Sequence, residues 1–230
     1  MKKIITLLAV VSVCSMAMAL SVSNETTWTA LPDEAQTDLT LDKFDTSQGS
    51  LTGITLEVGT RTLNAEVQLD NDSTEPQTGT GKVLNTITFS SSVSTVDSSF
   101  QAITGADISV NETQAFELEA TSGDPVGEFN ITTGDDYADW LPGQIEKYVI
   151  QEIASAVFGQ YEASAGDEEF TLSFTPSMLT GATFEGENGH FEGSSPNAQG
   201  FAKVTYEYIP EPMTMALLGL GGLFVRRRSA

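Results

Sequence analysis

Apolar and polar residues alternate through most of the stretch from residue 38 to 90, the period of two that half-buried strands carry. In DLTLDKF, Leu39 and Leu41 share a face; in ITLEV, Ile54, Leu56 and Val58 do; in LNAEVQL, Leu63, Ala65, Val67 and Leu69 do. VLNTITF adds Val83, Ile87 and Phe89. Turn-forming clusters at residues 45–49, 59–60 and 70–81 separate the runs, so the spacing predicts antiparallel strands. Residues 90–99 read as a Ser/Thr-rich loop, followed by short strands at 107–110, 115–119 and 128–132. From Pro142 the period changes. Ile145, Tyr148, Val149, Ile153 and Ala156 fall at helical spacing between two glycines, which predicts the one helix over residues 144–158. Strands resume at Phe170, Leu172 and Phe174, at residues 182–187, and at Ala202, Val204, Tyr206 and Tyr208. Many short strands with polar turns and one short helix predict an all-β fold, an antiparallel β-sandwich of two sheets. The chain has no internal repeat, which removes the basis for a β-helix.

The two ends follow a different logic. Lys2 and Lys3 precede an apolar run and then Ala17-Met18-Ala19, the order of a secretory signal peptide cut by signal peptidase after Ala19. Cys14 raises a lipoprotein reading, but Val13 before it is larger than the Gly or Ala such a site needs. Loss of residues 1–19 removes the only cysteine and leaves a domain over residues 20–208 that must be stabilised by packing. At the other end, Pro210, Glu211 and Pro212 form a stiff, non-helical strip. An uncharged run over residues 213–225 follows, which as a helix would rise about 20 Å against the roughly 30 Å hydrocarbon core of a bilayer. Arg226, Arg227 and Arg228 then hold the end of the chain on the cytoplasmic side of an inner membrane.

Residues 209–230 resemble the PEP-CTERM sorting signal of Gram-negative bacteria that make an extracellular polymeric matrix. The resemblance implies recognition by an exosortase, a membrane-embedded cysteine transpeptidase. Cutting near Pro210-Glu211-Pro212 would pass the protein from the inner membrane to the cell surface or the matrix. A second resemblance covers about residues 25–208. LTLDKFDTSQGSLTGITLEVGTRTLNAEVQLDND, with Phe158-Gly159, the FTLSF strand and the closing AKVTYEY, is similar to the choice-of-anchor E domain of bacterial surface proteins. That family supplies no catalytic residues to transfer, and the amphipathic stretch at 144–158 departs from it.

Charge narrows the partners. The chain carries a formal net charge of −22, and five of its 10 basic residues lie in the terminal segments. Lys43, Arg61, Lys82, Lys147 and Lys203 are left against 32 acidic residues, all but Glu211 in the central domain. With no basic patch to neutralise phosphates, nucleic acid is excluded as a partner; cations, cationic polymers and neutral glycans stay open. The acidic surface is equally the solvated coat of an exported protein.

Catalytic motifs are few. His190 is the only histidine, and neither a Gly-x-Ser-x-Gly elbow nor a His-Glu-x-x-His pair occurs, so the reading is non-enzymatic with no cofactor. Among 32 carboxylates an acid and base pair of a glycosidase needs only the right separation in space, which the sequence does not give. Calcium takes oxygen ligands from acidic loops, and Asp70 with Asp72, and Asp135 with Asp136, offer them without EF-hand spacing. The same loops read as solvated turns. Tyr137 and Trp140 in GDDYADW set two rings beside three carboxylates, either as a glycan-binding pair for extracellular polysaccharide or as core anchors. Trp28 is expected to pack under the first strand. The expected role is therefore structural or adhesive at the cell surface, with carbohydrate binding as the alternative.

Overall fold

The computed structural model describes residues 19–121 and 136–211. Among these residues the alternation read from the sequence becomes twelve strands in three antiparallel sheets. The first sheet is ordered β1 (Leu20–Glu25), β12 (Asn197–Pro210), β4 (Gly49–Leu63) and β9 (Ile145–Glu152), with the short β2 (Thr29–Leu31) also pairing with β12. The second is ordered β3 (Thr37–Asp42), β10 (Glu169–Phe184), β6 (Gln77–Ser91) and β7 (Val110–Leu118). A smaller third sheet sets β5 (Glu66–Asn71) between β11 (Gly189–Ser194) and β8 (Tyr137–Trp140).

Two cores account for the layering. The main one lies between the first two sheets, where Ile54, Leu56 and Val58 of β4 and Ala202, Val204 and Tyr206 of β12 meet Leu39 and Leu41 of β3 and Phe170, Leu172 and Phe174 of β10. The second gathers Ala65, Val67, Leu69, Val83 and Leu118, with Trp140, Ile145 and Phe184 packed against it. Strands β6 and β10 are 15 and 16 residues long because each serves both cores, one half of its length under the first sheet and the other under the third. Burying a side chain of this size stabilises by roughly 1.5–3 kcal/mol, so the apolar parity of these strands fixes their register.

The chain departs from its predicted elements at several places, among them the turn expected over residues 70–81, where β6 already begins at Gln77. Residues 144–158 hold no α-helix: they are edge strand β9 followed by a 3₁₀ turn at Ser155–Gln160. Ile145, Val149 and Ile153 are spaced by four, which puts them on one face of a strand as well as of a helix. Pairing along β4 from Thr55 to Thr62 then satisfies the backbone groups of β9 that face β4. The one α-helix among the described residues is instead α1 (Gly105–Ile108), in place of the strand expected at 107–110, with Asp107 accepting from the Thr104 N–H at 2.8 Å. The Gly59-Thr60 pair expected as a turn runs straight through β4. The run LNAEVQL breaks at Asn64, whose φ of 56° turns the chain from the first sheet into the third. The strand expected at 128–132 lies outside the described residues.

Gly49 opens β4 where β12 ends. Its φ is +154°, and a Cβ there would sit 2.1 Å from the Ile209 carbonyl oxygen, so the final strand closes against backbone with no side chain between.

Candidate functional site

The third sheet brings together most of the residues predicted to bind metal or glycan. Asp70 on the central strand is in register with His190 on one side and Tyr137 on the other. Asp70, Asp72 and Asp136 are all buried. Asp72 lies 3.4 Å from His190 Nε2. Asn71 ties the surrounding loops: its Nδ2 donates to the Glu75 and Glu119 carbonyls at 3.0 and 2.6 Å, and its Oδ1 accepts from the Ser73 N–H at 2.9 Å. The Asn71 N–H donates to the Asp136 carbonyl, and the Asp72 N–H to the Asn188 carbonyl. Polar groups that burial would otherwise penalise are thus used to fasten three connections to one another. Among the described residues, no three His, Cys, Asp or Glu side chains converge where one metal ion could be held, and Asp135 lies outside them.

Tyr137 and Trp140 do not form one platform. A strand sends residues three apart to opposite faces, and Trp140 packs on the second core while Tyr137 stands on the outer side beside Asp70. Burial, then the carboxylates of Asp139, Glu66 and Asp70, pushes the Tyr137 phenol above its ordinary range, so the hydroxyl keeps its proton at neutral pH.

Of the residues expected to direct cleavage and sorting, Ala19, Pro210 and Glu211 are described. Ala19 is exposed immediately before β1, and Pro210 is the buried last residue of β12, with Glu211 exposed after it. Ala17, Pro212, Arg226, Arg227 and Arg228 lie outside the described residues. Among the described residues no helix is long and apolar enough to cross a membrane.

A different cluster stands on the outward face of the first sheet. The connection after β1 lays Trp28 over β12 and β4, with its ring centroid 5.4 Å from Phe201 and 5.9 Å from Tyr148, the latter edge-on. The Arg61 guanidinium lies 4.5 Å from the Trp28 ring centroid, and its Nε donates to Gln199 Oε1 at 2.7 Å. Tyr148 donates its hydroxyl to Glu146 at 2.8 Å. Gly59 makes room for it: a Cβ at that position would stand 2.6 Å from the Tyr148 ring. Tyr148 is 43% exposed and its neighbour Ile150 66%.

The expectation that Trp28 packs under the first strand is therefore replaced by a ring lying on the outer face of the sheet. The signal available in the sequence was one of parity. On β12 the core takes Ala202, Val204 and Tyr206, so Phe201 is an aromatic on the solvent side.

No family model matches the chain, and no curated protein matches it. Among solved structures, the chain aligns over 83% of its length with a chain of the T=1 particles derived from infectious bursal virus, at 11% identity, a TM-score of 0.13 and 36% coverage of that chain. It aligns over 85% with a chain of the T13 IBDV viral particle, at 13% identity, a TM-score of 0.10 and 41% coverage. The protein spans well under half the length of these viral chains, and TM-scores at this level carry no argument about fold or function.

Proposed function

We propose that the protein is an exported, non-enzymatic β-sandwich displayed at the cell surface or in the extracellular matrix of a Gram-negative bacterium, where its role is structural or adhesive. In this reading the tail routes it there: signal peptidase removes residues 1–19, and an exosortase acts near Pro210-Glu211-Pro212 after the protein has been held in the inner membrane. The observation that carries the reading is the junction itself. Strand β12 runs to Pro210, and Glu211 is exposed directly after it, so the Pro-Glu-Pro strip begins on the last residue of that strand. A transpeptidase needs an extended backbone to grip, and prolines disfavour helix in themselves and in the residue before each.

The test is the intact mass of the native protein recovered separately from the envelope and the medium of its host. The reading expects loss of residues 1–19 and of the segment beyond the Pro-Glu-Pro strip. An envelope form that keeps Arg226, Arg227 and Arg228 would make this a C-terminally anchored protein and remove the transpeptidase from the account.

A further inference from the structure

We infer that the Trp28, Phe201 and Tyr148 cluster, with Arg61 beside it, is a binding surface for a neutral polysaccharide. This gives the surface-protein reading a ligand, and rests on that reading only for where the ligand would be met. The two-layer sandwich needs one apolar face from each sheet, and the first sheet already provides that face to the main core. Its outer side should be polar, and over most of its width it is: Ser23, Thr205, Thr55 and Glu152 line up across four strands. At Gly59 the pattern breaks. Phe201 and Tyr148 flank the glycine in register, and Trp28 lies against both. An exposed Tyr148 beside the half-buried rings of Trp28 and Phe201, around a residue with no side chain, makes a low, broad surface on which the C–H faces of a sugar ring can stack.

The groups around the rings decide between ligands. Arg61 and Lys203 are donors, Glu57 and Glu146 are acceptors, and Gln199 is both. Lys203 and Glu57 are direct register partners, as are Gln199 and Arg61. Such a mixture suits hydroxyl groups, which donate and accept at once. An anionic polymer would meet a molecule of net charge −22 with no excess of cations at the site. A second copy of the chain would meet the same repulsion.

The experiment is native electrophoresis of the full chain, purified in detergent, through gels containing laminarin, galactomannan, hydroxyethylcellulose or soluble starch, with alginate as the anionic probe. Retardation by at least one neutral polymer and not by alginate is expected. Affinity should fall by about tenfold or more in Tyr148→Ala and in Trp28→Ala, while Tyr137→Ala binds as the native chain does. Tyr148→Ala removes a half-exposed ring, and an unchanged melting temperature shows that its fold is intact. Should Trp28→Ala fail to fold, Tyr148→Ala alone decides. The inference is overturned if no neutral polymer retards the native chain, if alginate alone does, or if Tyr148→Ala binds undiminished. A dimer in sedimentation that Tyr148→Ala dissolves would assign the face to a second copy and equally overturn it. Each of these failures leaves the sorting reading standing, because that reading depends on the mass of the tail and not on ligand binding.

Discussion

Two buried phenols, Tyr161 and Tyr206, make folding sensitive to alkaline pH. Tyr161 donates to the Ser94 carbonyl at 2.9 Å and Tyr206 to the Asp42 carbonyl at 2.8 Å. Burial pushes both far above the ordinary phenol range; for Tyr206 the neighbouring Tyr161 and Asp42 add to it. In the unfolded chain a phenol ionises near pH ~10, so below that pH both states hold their protons and folding is unaffected. Above it the unfolded chain gives up protons that the folded chain retains, and stability falls as pH rises. Titration should therefore show phenolate absorbance and loss of the strand circular-dichroism signal rising together above about pH 10. A phenolate step completed while the strand signal is intact would contradict the burial of these two rings. Of the two, only Tyr206 was legible as an apolar position, from its parity on the last strand. The hydrogen bonds that let them be buried were not, because their acceptors are carbonyls 67 and 164 residues away in sequence.

The elements themselves show where period and tertiary structure part company. Strands with a clean alternation, such as Ile54–Val58 in β4 and Phe170–Phe174 in β10, lie where the sequence put them, because a one-residue slip would turn the whole apolar set toward water. Strand β9 was misread because residues four apart satisfy both periods; only Tyr148 and Ala156 favoured the helix, and Tyr148 belongs to the opposite face. The aromatic cluster was invisible for a related reason. Its members come from the connection after β1 and from β4, β9 and β12, and only strand order makes them neighbours. Among the sheet neighbours described, β9 pairs on one side alone, with β4, and it carries Ile150 at 66% exposure. Edge strands with exposed apolar side chains promote association. Ile150→Lys should change unfolding free energy by no more than about 0.5 kcal/mol while raising the temperature at which the protein aggregates. Differential scanning calorimetry beside light scattering separates the two effects; a large drop in stability would mean that Ile150 is packed.

Taken as a whole, the molecule is an acidic body with two cores, and its charge acts on every part at once. Five basic residues in the central domain stand against a large excess of carboxylates, and the ion pairs described there include Lys43 with Asp167 at 2.5 Å and Lys203 with Glu25 at 3.5 Å. Mutual repulsion among the rest favours expansion, and salt screens it over a Debye length of about 8–10 Å. Raising sodium chloride from about 10 to about 150 mM should lift the melting temperature by about 2–4 °C, the response to roughly 1 kcal/mol in a chain of this size. A flat response would mean that the carboxylates are spaced too widely to repel one another. The expectation of export rests on the two ends of the chain alone, whereas the sandwich was legible in its middle.

The position of β12 also has a mechanical consequence. It is paired on both sides, with β1 and with β4, and its Pro210 end leads to the tail while Phe201 lies nine residues back along the same strand. Nine residues of strand measure about 30 Å. Tension between something held at the Phe201 end and a tail held at the other would run along the strand axis, at right angles to its ladder of hydrogen bonds. The bonds to both neighbours would then be loaded together in shear rather than opened one after another, and rupture would require the whole strand to slide at once.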